Sequence, residues 1–296
     1  MSAHEVFDGA DARIIDRGYR GYDGPRTGVR GAMWAVTRSS IQRALGLRRT
    51  LWAKVLPIAC IAMAYIPAIV FVGIVSLFPS EDIQDVVLPT YGEYYGFVIA
   101  AIMVFVALVA PEVLCTDRRT GMLGVYLSSP LDRDTYLIAK AACIAAVLSL
   151  VCLGPPLLML VANVLQSTGP DGAHELFTTT WRVLATGIAT TVLFTGVTMG
   201  VTSLTDRKAV GAAGIIMLFL VSLSISGTLD ATGTVDNSEL LSVTLISLEL
   251  AQRIHREYSP IMVGTSDAML WLAWAAWTFG GFALARHRLK AVPVTR

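Results

Sequence analysis

Apolar residues gather along the chain into long unbroken runs, rather than alternating at every second position. Crossing the hydrocarbon of a bilayer as helix takes about 20 such residues. Six runs qualify: Val55–Phe78, Gly96–Leu114, Leu137–Leu165, Trp181–Leu204, Val210–Leu229 and Ala268–Leu284. The sixth is the shortest, and Trp271, Trp274 and Trp277 fix part of it near an interface or a packed helix seam. Lipid offers no partner to a free backbone N–H or C=O, and no alternating barrel pattern occurs, so the runs are predicted to be helices. The expected fold is an all-α integral membrane protein with six transmembrane helices, residues 54–290, between a polar segment 1–31 and a short tail 291–296.

Two further stretches carry pattern. Over residues 32–53, at about 100° per residue, Trp34, Ile41, Leu45 and Trp52 fall within roughly 20° of one line. Arg38 and Arg48 flank that stripe and Arg43 lies opposite, as in a helix lying in the membrane interface or packing on a partner protein. The run Leu240–Leu250 is too short to span, holds Glu249 and is followed by Arg253 and Arg256. It reads as a helix that dips into or lies on the outer leaflet, or equally as a packed surface helix. Pro57 and Pro67 in the first span and Pro155–Pro156 in the third are expected kink points. The fourth span carries Thr191, Thr195, Gly196, Thr198 and Gly200, whose small-residue spacing allows close helix approach. That contact is either internal packing or a subunit seam or path lining.

Composition agrees with a lipid solvent. Of 296 residues, 54% are apolar and 15% charged, against about 25% charged in soluble domains. Mean hydropathy is +0.62. The net charge of +1 offers no cation excess for a nucleic acid. Residues 1–54 hold no continuous apolar core of a signal peptide. With the N-terminus inside, 20 of the 23 Lys and Arg fall on the cytoplasmic side, leaving Arg182, Arg253 and Arg256 outside, while the loop 79–95 carries Glu81, Asp82, Asp85 and Glu93. Both termini are therefore expected in the cytoplasm.

The chemistry present is sparse. Cys60, Cys115, Cys143 and Cys152 form no CxxC pair and read as small buried apolar side chains. No GxxxxGK[ST], HExxH or GxSxG motif occurs, and His4, His174, His255 and His287 are scattered outside the spans. No enzyme activity, metal or cofactor is expected in this chain. Glu112 and Lys140 are expected within about a turn of the cytoplasmic span ends, leaving the membrane core without the ionisable groups of an ion-coupled transporter. Energy for uphill movement would have to come from another subunit.

The most informative segment lies between the second and third spans: Pro111-Glu112, then TDRRTGMLGVYLSSPLDRDTYLIAK at Thr116–Lys140. Apolar Met122, Leu123, Val125, Tyr126 and Leu127 interrupt what should be a polar loop, and Asp132 or Asp134 offers an N-cap for the next helix. A short amphipathic helix here would hide its apolar face in a partner's groove or against the span ends. This arrangement resembles the membrane subunits of ABC exporters of the type-2 permease family. The matching positions are Glu112, Asp117-Arg118, Gly121, Leu123, Pro130, Arg133 and Lys140, and YRGYDGPRTG at Tyr19–Gly28 is similar to the amino-terminal segment of many actinobacterial members.

The resemblance implies a multi-pass protein of a bacterial plasma membrane, paired with a second permease copy or a homologous permease. It implies a separate ATPase, holding ATP-Mg, that drives alternating access by gripping a coupling helix. The residues so implicated are Glu112, Asp117, Arg118, Arg119, Gly121, Met122, Leu123, Tyr126 and Arg133, with a second contact at Thr205–Lys208, including Asp206 and Arg207. Residues 32–53 would be the family's connecting helix and 230–266 its extracellular elements. A path of apolar and hydroxyl side chains suits drugs, lipids or other amphiphiles. The alternative is a non-transport membrane scaffold or sensor whose cytoplasmic helix docks some other partner.

Overall fold

In the computed structural model, which describes residues 24, 27–47, 51–77, 88–170, 172–233 and 235–291, no strand occurs among the described residues. The helices are α1 (Gly28–Ala44), α2 (Leu51–Leu77), α3 (Tyr94–Arg119), α4 (Met122–Leu127), α5 (Arg133–Cys152), α6 (Gly154–Leu165), α7 (Gly172–Thr202), α8 (Lys208–Thr232), α9 (Val243–His255) and α10 (Asp267–Ala291). A 3-10 turn at Ser238–Leu241 precedes α9. Six segments are long and apolar enough to cross a membrane: Lys54–Leu77 in α2, then α3, the pair α5–α6, α7, α8 and α10. The chain is an all-α integral membrane protein. The polar segment before Gly24, the acidic residues Glu81, Asp82 and Asp85, and residues 292–296 of the tail lie outside the described residues.

Several helices run past the apolar stretches that mark them, because capping and charged residues continue a helix beyond the hydrocarbon. α3 reaches Arg119 with Arg118 and Arg119 in its last turn, and α10 reaches Ala291 with Arg288 and Lys290 in its last, where cations oppose the helix dipole favourably. α5 starts at Arg133, so Lys140 lies roughly two turns inside the helix. Glu112 likewise stands roughly two turns before the end of α3. Both remain within about a turn of where the apolar runs end at Leu114 and begin at Leu137, because it is the helices that extend past those runs.

α3 and α7 occupy the middle of the bundle. α7 packs on α10, α5, α3 and α9, and α3 on α8, α2, α5 and α7. The α7–α10 seam is set by glycine. A Cβ at Gly281 would stand 2.1 Å from the Gly196 carbonyl oxygen, and one at Gly200 would stand 2.9 Å from the Gly281 Cα. The α7 hydroxyls do not bridge this seam. Thr195 donates to the Thr191 carbonyl at 2.7 Å, Thr198 to Phe194 at 2.6 Å and Thr202 to Thr198 at 2.7 Å, all along their own helix.

The third span breaks at Leu153, between α5 and α6, with Pro155–Pro156 in the first turn of α6. Proline lacks the N–H that would reach back four residues, so Pro156 leaves the Cys152 carbonyl without its helical donor. The Tyr95 hydroxyl supplies one at 2.8 Å, from a side chain 1% exposed. Tyr65 donates to the Leu150 carbonyl at 3.0 Å. A Cβ on Gly154 would stand only 1.8 Å from that tyrosine's Oη, so the glycine makes room for it. By contrast α2 continues through Pro57 and Pro67 without ending. All four cysteines are free and buried.

Most of residues 240–250 lie in the turn at Ser238–Leu241 and in α9. It starts at Val243, where Ser242 Oγ accepts from the Leu245 N–H at 3.3 Å. It packs on α7, α8 and α10 with Val243, Ile246, Leu250 and Ala251 buried. Glu249 is 1% exposed and held by Arg253 at 2.6 Å and by the Ser259 hydroxyl. The stretch is thus a helix packed on the bundle. His255, at its end, stacks on Tyr91 with ring centroids 5.8 Å apart, and Arg182 of α7 donates to its carbonyl at 3.4 Å. Burial, then the Arg182 charge, pulls its pKa down to about 4.

Two outcomes follow. Gly281→Ala should lower stability by about 1–3 kcal/mol by forcing α7 and α10 apart. Gly280→Ala, with nothing within 4 Å of its Cβ, should be neutral or gain up to about 1 kcal/mol. Thermal unfolding of the two variants in detergent compares them. For His255, the folded state keeps the imidazole neutral down to about pH 4, whereas an exposed one takes a proton near 6.5. Unfolding therefore absorbs a proton between these values, and stability falls as pH is lowered from about 6.5 toward 4. His255→Phe should flatten the melting temperature over that window while leaving it little changed at pH 7.5.

Candidate functional site

The starts of α2, α5 and α8 and the ends of α3, α7 and α10 share one end of the bundle, with α1 and α4. Local chemistry shapes this end. Gly121, between α3 and α4, takes φ +69°, a left-handed conformation open to glycine at no steric cost. α4 then makes a turn and a half. The Ser128 and Ser129 hydroxyls fold back on the carbonyls of Val125 and Tyr126, at 2.8 and 2.5 Å. Asp132 is the N-cap of α5 and its N–H donates to Thr135 Oγ1 at 2.8 Å. Asp134, the other candidate cap, instead forms a bidentate pair with Arg286 of α10 at 2.8 and 2.6 Å.

α4 has two faces. Leu123 is 5% exposed and joins the core. Tyr126 is half-buried, its ring 5.6 Å from that of Tyr136 and 5.4 Å from the Lys140 ammonium. Burial first, then the charge of Asp117, pushes the Tyr126 phenol up, so it stays protonated at neutral pH. Outward lie Arg119, Gly121, Met122 and Val125, the last 61% exposed. Asp206 and Arg207 are exposed in the α7–α8 turn nearby.

Beneath α4 sits an ionic cluster. Asp117 of α3 has no exposed surface, and its carboxylate meets Lys140 Nζ of α5 at 2.5 Å and Arg43 Nη2 of α1 at 2.7 Å. The Tyr136 hydroxyl donates to it at 2.9 Å. Lys140 also donates to Ser40 Oγ at 2.7 Å, and Thr37 donates to the Ala139 carbonyl at 3.0 Å. Burial works to lower the Arg43 pKa, but the Asp117 carboxylate outweighs it and leaves the pKa raised, so the guanidinium stays charged. Three elements, α1, α3 and α5, thus converge on one carboxylate, and Tyr126 of α4 covers the Lys140 ammonium beside it. Around it, Glu112 of α3 pairs with Lys208 of α8, Arg118 donates to the Ser203 carbonyl after α7, and Arg133 donates to the Leu289 and Lys290 carbonyls of α10.

The ABC-2 family transporter protein model matches residues 29–260 of this chain, more than half its length. The chain belongs to the ABC-2 transporter family. It is an ABC-type membrane permease, and members of this family are membrane components rather than the ATPases themselves. No curated protein matches the chain.

Within this ABC-2 permease the implicated residues divide. Glu112, Asp117, Arg118, Leu123, Tyr126 and Arg133 turn toward neighbouring helices, while Arg119, Gly121, Met122, Asp206 and Arg207 face out. The stripe over 32–53 is shared between two helices. α1 ends at Ala44, Gly46 takes φ +66°, and Trp52 falls on α2, its side chain outside the described residues. Ile41 and Leu45 pack on the core and Trp34 is 66% exposed. Thr191, Thr195, Gly196, Thr198 and Gly200 stand apart, buried along α7, with both glycines in the seam with α10 of the same chain.

Sequence reasoning missed Arg43, Ser40 and Tyr136 as members of this site. The signal was Lys140. A lysine in an apolar helix needs a carboxylate, and Asp117 stands at the facing end of the preceding span. Removing Asp117 leaves Lys140 buried and Arg43 half-buried without their carboxylate, and Asp117→Ala should cost about 3–5 kcal/mol. The pair Asp117→Leu with Lys140→Met should recover much of that loss. Unfolding midpoints of the single and double variants measure the coupling.

Proposed function

We propose that this permease is half of an ATP-driven exporter, and that the outward face of α4 is the handle that a separate ATPase subunit grips. Met122 and Val125 support this reading: two exposed apolar side chains beside Arg119, on a helix whose opposite face is anchored by Leu123 and Tyr126. An apolar anchor rimmed by charge is the form of a helix-in-groove contact. The α4 end also carries most of the Lys and Arg of the chain, which supports a cytoplasmic position for it, where an ATPase would reside. Trp34 with Arg38 on the outer face of α1 fits a helix lying at that interface.

The anchoring explains how force would travel. α4 is bracketed by α3 and α5, and both are clamped to α1 through Asp117. Pressure on α4 during ATP-driven closure would move these helices together and tilt them against α7, α8 and α10. Two permeases, identical or different, would enclose a path that such tilting opens to alternate sides. ATP acts through differential affinity for the two states. The apolar, hydroxyl-bearing helices suit a drug, lipid or other amphiphile as cargo.

The test uses the permease co-expressed with its ATPase. Val125→Glu, on an exposed position, should leave the permease within about 0.5 kcal/mol of wild-type stability while lowering affinity for the ATPase at least tenfold and abolishing ATP-dependent transport. Leu123→Asp should instead unfold the permease. Copurification and transport of the Val125→Glu complex at wild-type levels would refute the handle.

A further inference from the structure

A cleft of about 390 Å3 opens between α1, α2, α3 and α8 at the α4 end, within the roughly 300–1,000 Å3 of small-ligand sites. Its walls are apolar where it runs along the spans, with Leu56 of α2 and Phe105 and Leu108 of α3. Its other end is charged, by Arg43, Lys208 and Glu112. Arg43 stands at the end of α1, Lys208 is the first residue of α8, and Leu56 lies in the first two turns of α2. In a bilayer such span ends meet the head groups, so the cleft passes from head-group depth into hydrocarbon.

The charges in it are unbalanced. Arg43 and Lys140 share the one carboxylate of Asp117, while Glu112 is matched by Lys208. Among the described residues this cluster therefore sets three cations against two carboxylates, and the Arg43 Nε is buried without a hydrogen-bond partner. The N-terminus of α8 adds the positive end of a 25-residue helix. We infer that the cleft binds one amphiphile with an anionic head group, the head on Arg43 and Lys208 and the chain along α2 and α3. Charge complementarity selects the head, and the apolar walls select a ligand with a hydrocarbon tail over a free anion. The bound molecule would brace α1 and α2 against α3 and α8. This site is separate from the outward face of α4, and its test needs no ATPase.

The experiment titrates the full-length chain, purified in detergent, with dioleoyl phosphatidic acid, phosphatidylcholine of the same chains, or inorganic phosphate. Native mass spectrometry counts bound molecules and thermal unfolding reads stabilisation. Expected are one tightly held phosphatidic acid per chain, at least tenfold preferred over phosphatidylcholine, a raised melting temperature, and no effect of phosphate at the same concentration. Ala212→Phe, which fills the cleft, should weaken phosphatidic acid at least tenfold; Ala209→Phe at the exposed first turn of α8 serves if that variant folds poorly. Lys208→Gln should reduce the preference over phosphatidylcholine severalfold. Equal binding of the two lipids, stabilisation by phosphate alone, or wild-type binding by both filled variants would overturn the inference. So would a changed subunit count with phosphatidic acid binding unaltered, which would mark the cleft as a contact between copies.

Discussion

The carboxylate of Asp117, fully buried between Lys140 and Arg43, is the constraint on which the rest of this end of the molecule depends. Several kcal/mol of desolvation attach to each ion placed there, and only good geometry with further hydrogen bonds offsets them. Tyr136 and Ser40 supply those bonds. The arrangement thereby fixes the register of α1 on α5 and the angle at which α3 hands over to α4. An apolar core would tolerate sliding of these helices past one another; three hydrogen-bonded charges do not. Specificity of position, more than net stability, is what such a cluster contributes.

From that fixed point the two faces of α4 follow. Its six residues are too few for a stable helix alone, so packing must hold it. Leu123 enters the core and Tyr126 lies against the Tyr136 ring, which leaves Met122 and Val125 to face out. The same frame reaches the far side of the end through Arg133 and Arg286, which tie α5 to the last turns of α10. The opposite end is held by different means: the Tyr95 and Tyr65 hydroxyls at the proline break, and the buried Glu249–Arg253 pair of α9.

Much of the fold was legible in the sequence, because a run of apolar residues in lipid has one structural solution. The helix ends were less so. Arg133, Asp134 and the basic residues of α10 are helical without being apolar, and a search for greasy stretches stops short of them. The break at Pro155–Pro156 falls where a kink was readable from chemistry, while α2 stays one helix through Pro57 and Pro67, since neighbours decide whether a proline ends a helix. At the site, the amphipathic character of 122–127 was visible, but its polarity was not. Which of Leu123, Met122, Tyr126 and Val125 turn inward depends on where Lys140 and Tyr136 lie, and these belong to a different helix. Arg43 was misjudged for the same reason: a helical wheel places it opposite a tryptophan stripe but cannot see the carboxylate that faces it.

On the proposed mechanism, α1, α3, α4 and α5 move as one body under nucleotide control. Spin labels at Ser39 on α1 and Ser129 after α4, both exposed, can be attached through cysteine substitution, since the native cysteines are buried. Pulsed electron–electron distance measurements on the permease–ATPase complex then test the claim most directly. The Ser39–Ser129 distance within a subunit should be the same with and without ATP, while the distance between the two Ser129 positions across the permease pair shortens when ATP binds. A Ser39–Ser129 distance that changes with nucleotide, or an inter-subunit distance that does not, would contradict it.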